Sequence, residues 1–192
     1  MGSSFFAFIS RMKYINRWGL MRNTNTENLK EHSFDVALIS HALALISNEK
    51  FGNNLNGDAI AVQALYHDCS EIITGDLPTP IKYFSKEINV AYNKIEELAK
   101  EKILLKLPCE FRNSYKEILN YEYLYENNKK IIKAADTISA YIKCLEEEKS
   151  GNLEFHEARI MTYKKLQGMK MREVDYFLKE FIDAYSQSLD LQ

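Results

Sequence analysis

Three residues whose types and spacing suit chemistry stand close together in "LYHDCSEIITGDLPTP", residues 65–80: His67, Asp68 and Glu71. The segment leading into them, "AIAVQALY", is apolar and made for burial. Titratable groups at the end of such a segment are costly unless they are paired or bound to a metal. Imidazole nitrogen with carboxylate oxygen suits a first-row divalent cation such as Mn, Co, Fe or Zn. On a continuous helix, Glu71 lies four residues after His67 and three after Asp68, on the same side as both. Neighbouring residues point about 100° apart, so His67 and Asp68 share one ion only if it sits at the helix edge between them. A cation held there acidifies a bound water, and Glu71 is placed to take its proton without being a ligand. Asp68 could serve as that base instead, and the spacing does not separate the two.

Such a site needs ligands from other segments. The chain has four histidines. His32 lies near the start of an apolar segment, and His41, nine residues on, falls about 180° around the same helix, so both cannot face one site. His156, in "LEFHEAR", has charged, solvated neighbours. Asp136 lies in "IIKAADTISAYI" beside Ala134, Ala135 and Ala140, small residues that let another helix come close. Plainer roles compete for each residue. His67 and His41 suit core packing, His32 a helix start, and Asp136 or Glu71 an ordinary ion pair, with Lys133 nearest to Asp136. Cys69 reads as a small buried hydrophobe rather than a ligand.

The elements that must position these groups are helical. Phe5, Phe8, Ile9, Met12 and Ile15 share one stripe of "FFAFISRMKYI", which Gly19 can cap. Residues 27–47 form a second helix and "NEKFGNNLNG" a loop. A third helix spans 58–74 with Asp58 as N-cap. Pro78 and Pro80 prevent helix across the next turn. Further helices cover 84–106, about 110–125 and 128–149, and the tail 153–187 is one helix or two, broken near Gly168. No segment alternates as a strand does. The fold class is all-α, and 192 residues suit a single domain, 1–192.

Composition narrows the partners. A net charge of −2 offers no basic field for a nucleic-acid polymer. No run approaches the roughly 18 apolar residues of a membrane span. The start "MGSSFFAF" lacks the marks of a signal peptide. Cys69, Cys109 and Cys144 are odd in number and far apart, which suits reduced thiols and a cytoplasmic protein.

The ordered set His32, His67-Asp68, Asp136 resembles the H…HD…D pattern of the HD-domain metal-dependent phosphohydrolases. "INRWGLMRNTNTENLKEHS", "YHDCSEIITGDLPTPIKYF" and "KAADTISAYIKCLEE" are similar to the bacterial 5'-deoxynucleotidase group of the YfbR type, over nearly the whole chain. The resemblance implies an HD-type helical bundle, a homodimer, and removal of the 5'-phosphate from deoxyribonucleoside 5'-monophosphates. It implies one ion, Co2+ or Mn2+, with Fe2+ or Zn2+ also compatible, held by His32, His67, Asp68 and Asp136. His32, Asp68 and Asp136 would also border the substrate. Arg17 and Trp18 match nucleotide contacts, and Asp76, Leu77, Pro78 and Thr79 match a substrate-binding turn. Arg17 offers a planar fork for phosphate oxygens, so it joins Glu71 and Asp68 as a candidate for catalysis. Two other readings stand beside this one: an HD phosphohydrolase acting on a triphosphate, cyclic nucleotide or guanosine polyphosphate, and a silent nucleotide- or metal-binding regulator. Few cations near the site favour a monophosphate, and the intact Glu71 argues for an enzyme.

Overall fold

The structure, a computed structural model, describes residues 2–82, 84–188 and 190, apart from the side chains of Thr79 and Glu122. The described residues form helices and turns with no strand, so the all-α expectation holds. The first apolar stripe begins as α1 (Phe5–Ile9) and tightens into a 3-10 turn, Ser10–Tyr14. It stops at Ile15, well before Gly19, so that glycine caps nothing. The reason is a competing partner for the backbone. Residues 15–17 run extended beside 27–29, with Arg17 N–H donating to the Glu27 carbonyl and Leu29 N–H to that of Ile15, each at 2.9 Å.

Helix α2 (Leu29–Phe51) starts at Asn28, whose side chain accepts from Lys30 and Glu31 N–H while Glu31 reaches back, a reciprocal cap. It runs past the expected end at Ser47, because the left-handed turn that stops it comes only at Gly52, φ 72°. Helix α3 (Gly57–Leu65) is capped by Asn56, which accepts from Ala59 N–H. Asp58, expected in that role, instead faces His41 at 3.4 Å.

The largest departure follows. The expected helix over 58–74 breaks at Tyr66–Ser70 and resumes as the single turn α4 (Glu71–Thr74). Here the backbone bonds tighten to three-residue spacing: His67 to Ala64, Cys69 to Tyr66, Glu71 to Asp68. His67 and Asp68 therefore sit on a turn, not on a continuous helix. Helix α5 (Thr79–Lys82) is one turn where none was expected; Pro80 lies in its first turn, where the missing N–H costs nothing.

The rest follows the apolar pattern, except that the one helix expected over about 110–125 breaks at Asn120: α6 (Lys86–Leu104), α7 (Cys109–Leu119), α8 (Tyr121–Leu124), α9 (Glu126–Lys149), α10 (His156–Gly168) and α11 (Arg172–Phe181). The tail breaks just past Gly168, where Lys170 takes φ 53°. The larger core cluster joins α2, α3, α9 and α11 through residues such as Leu43, Ile60, Ile138 and Phe177. A smaller one gathers Phe5, Met12, Leu29, Cys69 and Ile103. Each such side chain contributes about 1.5–3 kcal/mol on burial, which fixes α2 against α9 firmly enough to hold polar groups between them.

Candidate functional site

His32 enters from the first turn of α2 and is fully buried. Its Nδ1 lies 3.1 Å from Ser139 Oγ on α9. With Nδ1–H donating to Ser139, the lone pair falls on Nε2, which is buried with no hydrogen-bond partner. His67 repeats the arrangement. Its Nδ1 lies 2.8 Å from the Ala64 carbonyl, which can only accept, so Nδ1 carries the proton. Its Nε2 is likewise buried and unpartnered. Two buried, unpartnered Nε2 atoms thus face the Asp68 carboxylate. Asp68 Oδ2 stands 3.0 Å from His67 Nε2 and 3.6 Å from His32 Nε2. One ligand atom from each of the three lies within 4.8 Å of the others.

The broken helix makes this possible. On the turn, His67 and Asp68 project together, with Nε2 and Oδ2 3.0 Å apart. Asp136 comes from the middle of α9, where Ala134 and Ala135 are fully buried. Its Oδ1 is 3.3 Å from His32 Nε2, and its Oδ2 accepts from Lys133 at 2.7 Å. The ion pair with Lys133 and the approach to the cluster are thus both present.

The electrostatics suit cation binding. Burial raises the Asp68 pKa, but His67 and His32 outweigh it and hold the carboxyl below the usual range. Burial opposes the charge on Asp136 too, and Lys133 with His32 holds that group well below its ordinary value. Burial, then Arg17, lowers His32. Glu71 behaves in the opposite way. It is 8% exposed, its Oε2 has no partner, and burial with the charges of Asp68 and Asp76 pushes it up to about 10. A proton-holding carboxyl thus stands beside ionised ones, the kind of split that separates acid–base roles.

Arg17 and Trp18 lie on the extended segment before α2. Trp18 takes φ 59°, which a bulky side chain rarely adopts and which costs on the order of 1–3 kcal/mol. Its Nε1 donates to Glu27 Oε2 at 2.9 Å, and its ring centroid lies 5.3 Å from that of Phe155. Arg17 Nε stands 3.8 Å from the same Glu27 oxygen, while Nη1 is buried without a partner. Burial works against the guanidinium charge, and Glu27, Asp136, Asp68 and Asp76 together raise its pKa in spite of that. Asp76, Leu77 and Pro78 are half-buried after Gly75, whose φ is 74°. The Gly75 carbonyl accepts from Thr74 Oγ1 at 3.0 Å and from Tyr92 on α6 at 3.4 Å. The Thr79 side chain lies outside the described residues.

Glu27 and Ser139 belong to this assembly and were not singled out in the sequence. Ser139 carried a faint signal, a polar residue one turn from Asp136 in an otherwise apolar stretch. Glu27 carried none, since "NTNTEN" reads as solvated loop. His41 and His156 stay outside the cluster, the latter facing Glu148 at 2.9 Å. Cys69 packs with Phe5 and Ile103 rather than with the ligands. No helix among the described residues is long and apolar enough to cross a membrane.

Comparison with known proteins gives a consistent picture. A 5'-deoxynucleotidase from Yersinia pestis (strain Pestoides F) is 50% identical over 188 residues, which cover 98% of this chain and 95% of that protein. The crystal structure of an HD-domain phosphohydrolase from Listeria innocua matches with a TM-score of 0.81 at 26% identity, over 95% of this chain and 88% of that one. A cyanophage S-2L HD phosphohydrolase, bound to dA and one catalytic Zn2+ ion, shares the fold with a TM-score of 0.64 at 19% identity, over 92% and 95% of the two chains. The family model described as 5'-deoxynucleotidase YfbR-like matches residues 4–185. With its ordered His32, His67-Asp68 and Asp136 on an all-α bundle, the chain belongs to the YfbR-like 5'-deoxynucleotidase family.

Proposed function

We propose that the protein hydrolyses deoxyribonucleoside 5'-monophosphates to deoxyribonucleosides and phosphate, in a centre that takes one divalent transition-metal ion. The observation that carries the proposal is the pair of buried, unpartnered Nε2 atoms of His32 and His67 converging on Asp68. Relatives at 50% identity named 5'-deoxynucleotidases support the substrate class. The donor set of two imidazoles and carboxylate oxygen fits a first-row cation, with His32, His67, Asp68 and Asp136 as its holders. Co2+ or Mn2+ is our assignment; Zn2+, the ion of the cyanophage protein, and Fe2+ suit the same atoms. When bound, such an ion supplies Lewis acidity to a phosphoryl oxygen and acidifies water.

The chain's own residues do the rest. Arg17 presents its unpaired Nη1 to the phosphate and offsets charge that builds there in the transition state. His32, Asp68 and Asp136 border the same group. Trp18 gives a flat face to the base or sugar. Asp76 accepts from the sugar 3'-hydroxyl, while Leu77 and Pro78 wall off the 2' position and so favour deoxy sugars. In the reaction a water oxygen bonds to phosphorus and the bond from phosphorus to the 5'-oxygen breaks. Glu71 takes the water proton, and the 5'-oxygen leaves with a proton. Positive charge in the ligand cluster would lower the Glu71 pKa, which favours a carboxyl that both accepts and returns a proton.

Residues 1–192 act as one such domain on this reading, supported by the match over 4–185. A homodimer fits the exposed stripe Phe34, Leu38 and Leu45 along α2. A cytoplasmic setting fits three cysteines with no disulfide among them. The test is phosphate release from dAMP and AMP by metal-stripped protein resupplied with Mn2+ or Co2+. Release from dAMP alone supports the proposal. Equal release from both removes the role given to the Asp76 turn, and release from neither removes the substrate class.

A further inference from the structure

We propose that Glu27 is a positioning residue, whose single carboxylate aims Arg17 and Trp18 at the substrate. This rests on the phosphate and nucleoside contacts given above to Arg17 and Trp18. Glu27 lies just ahead of the α2 cap, with its side chain 12% exposed. Four connections leave it. Oε2 accepts from Trp18 Nε1 at 2.9 Å and stands 3.8 Å from Arg17 Nε. Oε1 stands 3.8 Å from His32 Nδ1. The Glu27 carbonyl accepts from Arg17 N–H at 2.9 Å.

The consequence for Arg17 is a division of labour within one guanidinium. The Nε edge is balanced by Glu27, and Nη1 is left buried and unpaired, ready for an anion. The other carboxylates that act on Arg17 are Asp136, Asp68 and Asp76. Without Glu27 the guanidinium would be drawn to those groups, two of which are candidate ligands, and the phosphate would lose its fork. Glu27 thus keeps the substrate's cation apart from the metal's anions. Trp18 gains as well, since its left-handed backbone needs a fixed side-chain anchor, and Glu27 on one edge with Phe155 near its ring supplies one.

Glu27 is itself held still. The loop before it is gripped by α9, the helix that carries Asp136 and Ser139. Glu147 accepts from Thr24 and Asn25 N–H at 2.8 and 3.1 Å, and Lys143 donates to the Asn25 carbonyl. The loop that leads to Glu27 is therefore tied to the helix that carries Asp136.

The experiment compares Glu27→Gln and Glu27→Ala with the parent protein in Mn2+. Gln keeps an acceptor for Trp18 Nε1 but removes the charge facing Arg17. For dAMP hydrolysis, Glu27→Gln should raise KM about tenfold, with kcat changed less than about threefold and an unchanged melting temperature. Glu27→Ala should show the same KM loss together with a shifted emission of Trp18, the one tryptophan of the chain. Quenching of that emission by inorganic phosphate, which needs no turnover, should weaken about tenfold in both variants. Parent-like KM and phosphate affinity in Glu27→Gln would overturn the proposal. So would losses that track a lowered melting temperature alone. Failure of the parent protein to cleave dAMP would instead count against the function proposed above, and the phosphate titration would still decide the role of Glu27.

Discussion

Replacing Glu147 by Gln probes the frame that holds the site. Glu147 is 1% exposed near the end of α9, and its carboxylate accepts from Thr24 and Asn25 N–H, from Asn152 and from Lys143. Burial raises its pKa, but Lys143, Asn152 and the N–H groups of Thr24 and Asn25 outweigh that and hold it at about 2. The gap from the ordinary 4.5 corresponds to about 3 kcal/mol, at roughly 1.36 kcal/mol per unit. The sign follows from linkage. A depressed carboxyl contributes fully above its unfolded pKa, and the contribution is lost as pH falls toward its folded pKa. The stabilisation is thus complete at pH 7, about 1 kcal/mol at pH 3, and gone below pH 2. Gln mimics the protonated acid and turns an N–H2 toward donors that need an acceptor. Glu147→Gln should therefore melt roughly 6–12 °C lower at pH 7, for a chain of this size. The assay is thermal unfolding of both proteins from pH 7 to pH 3. A gap of constant size across that range, or one under about 0.5 kcal/mol at pH 7, would refute the reasoning.

Other perturbations test single links. Ser139→Ala removes the partner of His32 Nδ1 and should weaken Mn2+ binding about 10–100-fold, read by equilibrium dialysis, with little change in melting. Glu71→Gln should lower kcat for dAMP by about 10²–10⁴-fold while Mn2+ affinity stays within a few-fold; parallel loss of both would make Glu71 a ligand rather than the proton acceptor. Asn28→Ala deletes the reciprocal cap of α2 and should cost about 1 kcal/mol in denaturant unfolding, without altering KM.

Most of the fold was legible in the sequence because apolar spacing and stop signals agree along the chain. Asp136 stood out as a carboxylate among small residues of a buried helix, and α9 delivers it to His32. The break at Tyr66–Ser70 was not legible. "ALYHDCSEII" has no Gly or Pro to announce it, and the pattern fits a straight helix as well. That break sets His67 and Asp68 on a turn, so the two residues named from the sequence come together on a geometry other than the continuous helix expected. Glu27 was hidden for a different reason. Its value comes from the pairing of 15–17 with 27–29, a contact across a polar loop that no periodicity encodes. Thr79–Lys82 shows the limit of proline as a stop signal, since a proline in a first turn breaks nothing.

The central claim is that His32, His67 and Asp68 form a metal centre on which phosphate release depends. The direct measurement is titration of metal-stripped protein with Mn2+ while phosphate release from dAMP is followed, beside Asp68→Ala. Activity should rise to a plateau at one equivalent of metal and be absent from the variant at the same metal concentration. Full activity in stripped protein, or a variant that matches the parent, would contradict it.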